Sequence, residues 1–240
     1  MVVVRSVLFQ VVFYFVTAVM LVVTAPLFLL LPQERSIRVV QTWAKISIAL
    51  HTAICGVKVE VRGRENIPTG GVLVASKHQS AFETIGLFPL LHFPTVIMKE
   101  AIRRIPIFGA YTVRTGMIHV DREGKTAALR ALVERAREEL AKGRQIIMFP
   151  EGTRRAVGAP PEYQTGIALL YRSLGVPVVP VALNSGVFWP RKSFLHYPGT
   201  IVIEFLPAIP PGLDPRAFLT RLQDSIETAS NALVSAAKRN

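Results

Sequence analysis

The sequence has almost no cysteine, and this scarcity limits the kinds of site that it can build. Cys55 is the single cysteine in 240 residues, which excludes an internal disulfide framework and a cysteine-rich metal site. Nothing in the cysteine content indicates an oxidising compartment. No G-x-S-x-G segment is present either, so a hydrolase built on a nucleophilic serine elbow is not expected.

Acidic residues are scarce relative to basic ones. Asp and Glu number 16 against 28 Lys and Arg, which gives a formal net charge of +12, and half of the residues are hydrophobic. A basic and apolar chain suits an anionic membrane surface or an anionic substrate. Nucleic acid is disfavoured as a partner because the basic residues cluster near apolar segments and no known binding module is present.

Charged residues are absent from residues 7–31, a stretch long enough to cross a bilayer with some tilt. A cleavable signal peptide has a shorter apolar core, and no small-x-small cleavage site follows Leu31. A buried core helix is a third possibility, although such a helix rarely lacks a polar face over this length. Pro26 and Pro32 leave open whether the helix spans the bilayer or dips into one leaflet and returns.

Residues 36–54 have the composition of a second helix, in which polar side chains interrupt apolar ones. Glu34, Arg35 and Arg38 flank the apolar stretch, and the basic residues favour a cytoplasmic location for the bulk of the protein. We therefore predict that residues 1–55 form a membrane-anchoring helical pair and that residues 56–240 form one further domain.

Beyond residue 55, short apolar or period-two segments alternate with amphipathic ones. This order predicts an α/β fold with a central, mostly parallel or mixed sheet of about seven strands flanked by helices. The predicted strands cover residues 57–61, 71–76, 95–98, 116–120, 145–149, 176–183 and 201–206, and the predicted helices cover 81–87, 125–142 and a C-terminal segment opened by Asp214 and Pro215.

A histidine and a glutamate follow the strand predicted at residues 71–76. His78 lies in the expected turn and Glu83 five positions later, at the start of the expected helix. On one regular helix this spacing would separate the side chains by about 140°, so they can meet only where the chain doubles back. An imidazole oriented by a carboxylate can act as a general base. The alternative is a loop histidine near an unrelated glutamate.

Three more segments stand at or near predicted strand ends. In residues 149–155, Glu151 follows a strand, Gly152 permits close backbone approach, Thr153 adds a hydroxyl, and Arg154 offers a fork of donors that matches a phosphate. Residues 116–122 include another predicted strand, and the segment ends in charged residues, Asp121 and Arg122. The alternative to a functional role for this pair is an ion pair on the protein surface. Residues 176–181 are apolar and carry no reactive group.

These four segments, in this order, resemble the conserved blocks of the glycerolipid acyltransferase family, in particular its bacterial 1-acyl-glycerol-3-phosphate acyltransferases. The resemblance covers residues 72–185, and His78 and Glu83 match the family's H-x-x-x-x-D motif. Residues 99–101 and 106–109 are similar to the family segment between the first two blocks. The resemblance implies an acyltransferase domain at residues 56–240 that carries a thioester-bound acyl chain to the free hydroxyl of a lysophospholipid.

The resemblance also implies roles for individual residues. His78 would take the proton of the acceptor hydroxyl, and Glu83 would hold the imidazole. Arg154, Arg122 and Lys99 would bind the glycerol phosphate, and Glu151 would orient the glycerol or organise the arginines. The expected partners are the bilayer, lysophosphatidic acid and acyl-CoA or acyl carrier protein as co-substrate, without cofactor or metal. The expected location is the bacterial inner membrane, with the catalytic domain on the cytoplasmic side.

Three positions depart from the family pattern. Glu83 stands where the family has Asp, His119 where it has an apolar residue, and Arg155 where it has a small polar residue. We expect no catalytic role for His119. Glu83 is one methylene longer than Asp, so its reach to the imidazole depends on the exact start of the helix.

Other functions stay open at this point. The acceptor could be another lyso-lipid, such as lyso-ornithine lipid or a lysophospholipid with a head group, or the chain could bind phospholipid without catalysis. Residues 86–93 are apolar and residues 188–194 mix aromatic with basic side chains, as bilayer-surface segments do. Core packing is the alternative for the first segment and a folded loop for the second.

Overall fold

The computed structural model describes residues 1–121 and 125–237. Within them the chain forms seven strands and eight α-helices. The strands are β1 (Val57–Arg62), β2 (Val72–Ser76), β3 (Pro94–Lys99), β4 (Ile118–Val120), β5 (Gln145–Met148), β6 (Val178–Leu183) and β7 (Gly199–Phe205). The helices are α1 (Val2–Leu30), α2 (Gln33–Cys55), α3 (Phe82–Gly86), α4 (Phe108–Arg114), α5 (Lys125–Ala141), α6 (Gly166–Leu174), α7 (Ser185–Phe188) and α8 (Pro215–Ala237).

The strands form one mixed sheet in the order β1-β7-β6-β2-β5-β3-β4. Every neighbouring pair is parallel except β6 and β7, which are antiparallel. The predicted fold class, a mostly parallel or mixed sheet of about seven strands, is confirmed. Because β6, β2, β5, β3 and β4 run in one direction, their carboxyl ends meet along the same edge of the sheet.

The sheet is covered on both faces, which explains why its central strands are apolar throughout. Along β2, Val72 and Val74 point to a core shared with α1, α2 and α3, whereas Leu73 and Ala75 point to a core shared with α5, α6 and α8. Alternate side chains of a strand face opposite ways, so one continuous apolar strand serves two cores. Burial on both faces anchors the carboxyl end of β2 in the interior.

The helical pair predicted at residues 1–55 is present as α1 and α2. Pro26 lies inside α1, which continues to Leu30, and Pro32 precedes the first residue of α2. Among the described residues, one segment, Val2–Pro26 of α1, is long and apolar enough to cross a membrane by length and composition. The domain boundary at residue 55 stays a prediction, because Phe9, Ile37 and Cys55 pack into the core of the sheet.

The two segments with the composition of bilayer-surface sequences have different environments. In residues 86–93, Leu87, Phe88 and Leu91 are buried in the core beneath α2, so core packing accounts for their apolar character. In residues 188–194, Phe188 is buried and Phe194 is exposed. The second segment therefore combines a folded loop with an exposed aromatic side chain.

Candidate active site

The candidate site residues predicted from the sequence lie at the carboxyl edge of the sheet. His78 follows β2, Glu151 follows β5 and Lys99 ends β3, and these strands are neighbours in the sheet. Ser185 follows β6, which pairs with β2 on the other side. The topology thus brings together side chains that are far apart in sequence.

His78 and Glu83 are paired across the turn between β2 and α3. The His78 Nδ1 atom lies 3.4 Å from Glu83 Oε1. The imidazole stacks on the ring of Phe149, with centroids 4.0 Å apart and an interplanar angle of 19°. Its Nε2 atom makes no hydrogen bond within the described residues, and the ring lines a cavity of about 880 Å³. This arrangement leaves one ring nitrogen for a ligand while the other faces a carboxylate.

The Glu83 carboxylate is completely buried and accepts hydrogen bonds from three further donors. Its Oε1 atom accepts from the backbone amides of Gln79 and Ser80, the second at 2.7 Å. Its Oε2 atom accepts from the Ser185 hydroxyl at 2.8 Å. The extra methylene relative to Asp lets the carboxylate lie between the turn and the end of β6. Ser185 was not predicted from the sequence, although its position shortly after a predicted strand could have indicated it.

A buried ion network lies behind His78. The Lys77 ammonium donates to Glu151 at 2.8 Å and to Glu227 of α8 at 2.7 Å, and Tyr163 donates its hydroxyl to Glu227 at 2.9 Å. Glu151 Oε2 accepts from the His78 backbone amide at 3.1 Å. The second oxygen of Glu151 thereby holds the turn that carries the imidazole.

Burial dominates the titration of this network. It raises the pKa of Glu151, although Lys77 opposes the shift, and it raises the pKa of Tyr163, with the neighbouring charge of Glu227 acting in the same direction. Glu151 was predicted to orient the glycerol or to organise the arginines. Its carboxylate is buried and bonded to Lys77 and to the His78 amide, so its contacts are with the protein interior. Lys77, Tyr163 and Glu227 were not identified from the sequence.

The turn after β5 presents its next residues to the cavity. Gly152 has a φ of 65°, a left-handed conformation that favours glycine, and its amide donates to the Phe149 carbonyl at 2.9 Å. Thr153 and Arg154 are exposed, and both line the cavity together with Gly152. Lys99 is also exposed and lines the same cavity. The structure therefore brings these cationic and hydroxyl groups to the cavity that His78 faces.

The other residues considered from the sequence are Arg122, His119 and Arg155. Arg122 lies outside the described residues, so its predicted phosphate contact stays a prediction. His119 shares a hydrogen bond with Thr112 at 2.9 Å, and burial lowers its pKa. Arg155 pairs with Glu162 at 2.9 Å, and its backbone amide donates to the His78 carbonyl at 2.7 Å. Arg155 thus directs its charge to an acidic partner and also supports the turn of His78.

The cavity has a volume of about 880 Å³ and extends from His78 to the helical pair. Its lining is predominantly apolar, with Met20 and Leu21 from α1 and Val40 and Trp43 from α2 at one end. Leu129 and Leu132 of α5 line another part. Within the described residues, the charged groups on its lining are few, namely Lys99, Asp121 and Arg154, as in pockets that bury an apolar ligand and orient it by a few contacts.

A second cluster of potential ligand atoms lies between the helical pair and a loop. His51, Cys55 and His196 are buried, and their ligand atoms lie within 4.8 Å of one another, close enough to hold a metal ion. The two imidazoles contact each other at 2.9 Å, and the other nitrogen of His196 contacts the Gln10 amide at 3.0 Å. Burial and, to a smaller extent, proximity to His196 lower the pKa of His51 to about 3, and burial lowers the pKa of His196 to about 4. The cluster is uncharged, and its hydrogen bonds connect α1 and α2 to the loop that carries His196. The absence of a metal, which was expected from the sequence, stays a prediction.

The chain is similar to known acyltransferases in sequence and in fold. The family model described as Acyltransferase matches residues 58–184. A 1-acyl-sn-glycerol-3-phosphate acyltransferase from Pseudomonas aeruginosa is 37% identical over 75% of this chain and 70% of its own length. A protein of the same name from Escherichia coli is 31% identical over 64% of this chain and 63% of its own length.

A solved structure has the same fold over nearly the whole chain. The crystal structure of the 1-acyl-sn-glycerophosphate (LPA) acyltransferase PlsC from Thermotoga maritima superposes with a TM-score of 0.78. The match covers 96% of this chain and 97% of that one, at 21% identity. At this identity the likeness establishes the shared fold, including the two helices that precede the sheet.

Proposed function

The chain belongs to the acyltransferase family, and from this premise we propose that it transfers an acyl chain to the 2-hydroxyl of 1-acyl-glycerol 3-phosphate. The product would be phosphatidic acid, and the donor would be acyl-CoA or acyl carrier protein. The observation that carries the proposal is His78, whose ring nitrogen faces an apolar cavity while Glu83 holds its other side. The relatives' names support this acceptor, because two of them are 1-acyl-sn-glycerol-3-phosphate acyltransferases.

In this mechanism the substrate oxygen is the nucleophile, and no acyl-enzyme forms. His78 Nε2 takes the proton of the acceptor hydroxyl as its oxygen attacks the thioester carbonyl. The tetrahedral intermediate then collapses, the carbon–sulfur bond breaks, and the imidazolium returns its proton to the departing thiolate. Glu83 accepts from Nδ1–H throughout, which fixes the tautomer and stabilises the imidazolium.

The groups around His78 divide between holding the base and binding the acceptor. Glu151 and Glu83 hold the turn, since both accept backbone amides from residues 78–80. Arg154 and Lys99, together with Arg122, bind the phosphate, and Thr153 adds a hydroxyl donor. Exposed cations on the lining of a predominantly apolar cavity match a ligand with one phosphate and a long acyl chain.

The apolar part of the cavity takes the acyl chains. Its walls include α1 and α2, so a chain extended from His78 would run towards the helical pair. The apolar surface of α1, most of which is not covered by the rest of the protein, supports association with a bilayer, where the acceptor also resides. We assign the protein to the bacterial inner membrane, with the sheet domain on the cytoplasmic side where the thioester donor is made. No metal or cofactor takes part in this mechanism.

The purified protein in detergent, supplied with a panel of donors and acceptors, tests the proposal. The donors are acyl-CoA and acyl carrier protein of several chain lengths, and the acceptors are lysophosphatidic acid, lyso-ornithine lipid and lysophosphatidylethanolamine. We expect thiol release and phosphatidic acid formation with lysophosphatidic acid. Faster transfer to lyso-ornithine lipid or to a lysophospholipid with a head group would replace the acceptor. Phospholipid binding without transfer to any acceptor would refute the enzymatic assignment.

A further inference from the structure

An exposed apolar segment with a strained backbone lies after Lys99 and ends at the first residue of α4. We call residues 105–108, Ile105-Pro106-Ile107-Phe108, the apolar tip. Ile105 and Ile107 each expose 48% of their surface and Phe108 exposes 36%, although all three are large and apolar. Consecutive exposed side chains of this kind mark a contact surface, because isolated apolar residues are common on protein surfaces and contiguous ones are not.

The backbone of the apolar tip is held in an unfavourable conformation. Ile107 has φ 62° and ψ −58°, and the Phe108 amide donates to the Pro106 carbonyl at 2.6 Å, which closes a tight γ-turn. A β-branched residue at positive φ is rare. The backbone behind the turn is closely packed, because a Cβ on Gly109 would collide with the Arg103 carbonyl oxygen. Ile107 is exposed in spite of its strained conformation, and strain of this kind is concentrated at functional sites.

The apolar tip is continuous with the exposed face of α1. Helix α4, which begins at Phe108, packs on α1: the Tyr111 hydroxyl donates to the Leu21 carbonyl at 2.9 Å, and Tyr111 stacks on Phe28. Val22 and Val23 of α1 and Val113 of α4 are exposed beside this contact. One apolar surface thus extends from α1 across α4 to the tip.

The apolar tip also borders the cavity that leads to His78. Phe108 and Ile102 line that cavity, as do Met20, Leu21 and Thr24 of α1. Arg103, which pairs with Glu100, and Arg104 precede the tip and are exposed. Basic residues beside an apolar insertion suit the anionic head groups of a bilayer.

We propose that the apolar tip inserts into the bilayer as a second contact beside α1. The insertion stands on the exposure and the strain of the tip and does not depend on the proposed acyltransferase function. Contact through α1 alone would leave the protein free to rotate about that helix. A second contact at the tip, where Phe108 also lines the cavity, would hold this part of the cavity against the lipid surface.

The insertion is tested without any measurement of activity. Because Cys55 is buried, Ile107→Cys in the full chain can be labelled selectively with an environment-sensitive fluorophore. The matched control is Leu169→Cys on α6, which is also an exposed apolar residue, at 45%, but on the opposite face of the sheet. In vesicles of phosphatidylethanolamine and phosphatidylglycerol, we expect brominated acyl chains to quench the label at 107 at least threefold more than the label at 169. Equal quenching, with both labels accessible to aqueous iodide, would overturn the proposal.

A second variant separates membrane contact from structural support. Asn tolerates positive φ better than Ile, so Ile107→Asn removes the apolar side chain and relieves the turn. We expect unchanged or higher thermal stability, unchanged turnover of a micellar acceptor, and about a tenfold higher KM for an acceptor embedded in vesicles. Lower stability and equal losses in both assays would show that Ile107 serves folding alone. If the wild type transfers to no acceptor, the proposed function fails, while the quenching experiment still decides whether the tip inserts.

Discussion

The two ends of the candidate site differ in how firmly the protein holds them. At the base end, Glu83 is fully buried and faces His78, two backbone amides and the Ser185 hydroxyl, and Lys77 is enclosed by two carboxylates. At the cation end, Lys99 and Arg154 are exposed, and their side chains make no hydrogen bond or ion pair within residues 1–121 and 125–237. The folded protein already holds the base in position, whereas the side chains of the cations become ordered only when a ligand binds to them.

Because the two ends differ in rigidity, they contribute to different steps of the reaction. A preorganised base requires little rearrangement when the hydroxyl proton moves, so its contribution belongs to the chemical step. Exposed cations cost little stability and gain their partner only when a phosphate arrives, so their contribution belongs to binding. Substitutions at the base end should therefore lower kcat, and substitutions at the cation end should raise KM.

The largest effect is expected at His78. We expect His78→Ala to lose about 10²–10⁴-fold in kcat because the acceptor hydroxyl loses its general base. Its melting temperature should stay close to that of the wild type, since the ring is at the cavity surface and its Nε2 supports no other group. Steady-state thiol release measures the loss, and His92→Ala, at an exposed histidine, is the control. Near-normal turnover would remove His78 from the mechanism.

Shortening the carboxylate tests whether the base end is as rigid as its hydrogen bonds indicate. Glu83→Asp cannot reach both the turn amides and Ser185, so we expect a loss of about 10²-fold in kcat, the cost typical of a displacement near 1 Å. Glu162→Asp, at an exposed glutamate, should have no effect. Retained activity in Glu83→Asp would mean that aspartate, which the family motif has at this position, serves this site equally well.

Removing a cation should give the opposite kinetic signature. Arg154→Gln removes one charge-assisted contact, and we expect the KM for lysophosphatidic acid to rise about tenfold or more while kcat and thermal stability stay unchanged. Arg172→Gln on α6 makes the same change of charge at an exposed site and should leave KM unaltered. A fall in kcat without a change in KM would place Arg154 at the base end instead.

The smallest effect on catalysis is expected from the network behind His78. Glu227→Gln weakens one of the two ion pairs of Lys77 and leaves Glu151 in place. We expect a destabilisation of about 2 kcal/mol, a fall of roughly 5 °C in melting temperature, and at most about a threefold change in kcat. Asp224→Asn, on an exposed part of α8, is the control for the charge change. Stability equal to wild type would show that the pair adds nothing to the fold.

The sequence allowed the sheet and the main helices to be predicted because their signals are local. Apolar runs and period-two alternation predicted each strand, and the differences lie at the ends: β4 begins at Ile118 because Gly116, with φ 68°, belongs to a turn. Helices α4, α6 and α7 were not predicted. These helices have only four to nine residues, and the apolar periodicity of so short a segment cannot be distinguished from a loop sequence.

The same distinction between local and distant signals explains what was predicted at the site. His78 and Glu83 are close in sequence, and Glu151 and Arg154 follow a strand, so strand ends were enough to find them. Ser185 is 102 residues from Glu83, and Glu227 is 150 residues from Lys77. Those contacts depend on how β6 and α8 pack, which no local pattern records.

One kinetic comparison tests the division of the site most directly. Wild type, His78→Ala and Arg154→Gln are assayed with lysophosphatidic acid and with monoacylglycerol, which lacks the phosphate, and kcat/KM is measured for each pair. We predict that Arg154→Gln reduces the preference for lysophosphatidic acid about tenfold, whereas His78→Ala lowers both values by the same factor and keeps the preference. An unchanged preference in Arg154→Gln, or a loss in His78→Ala confined to the phosphate-bearing acceptor, would contradict this prediction.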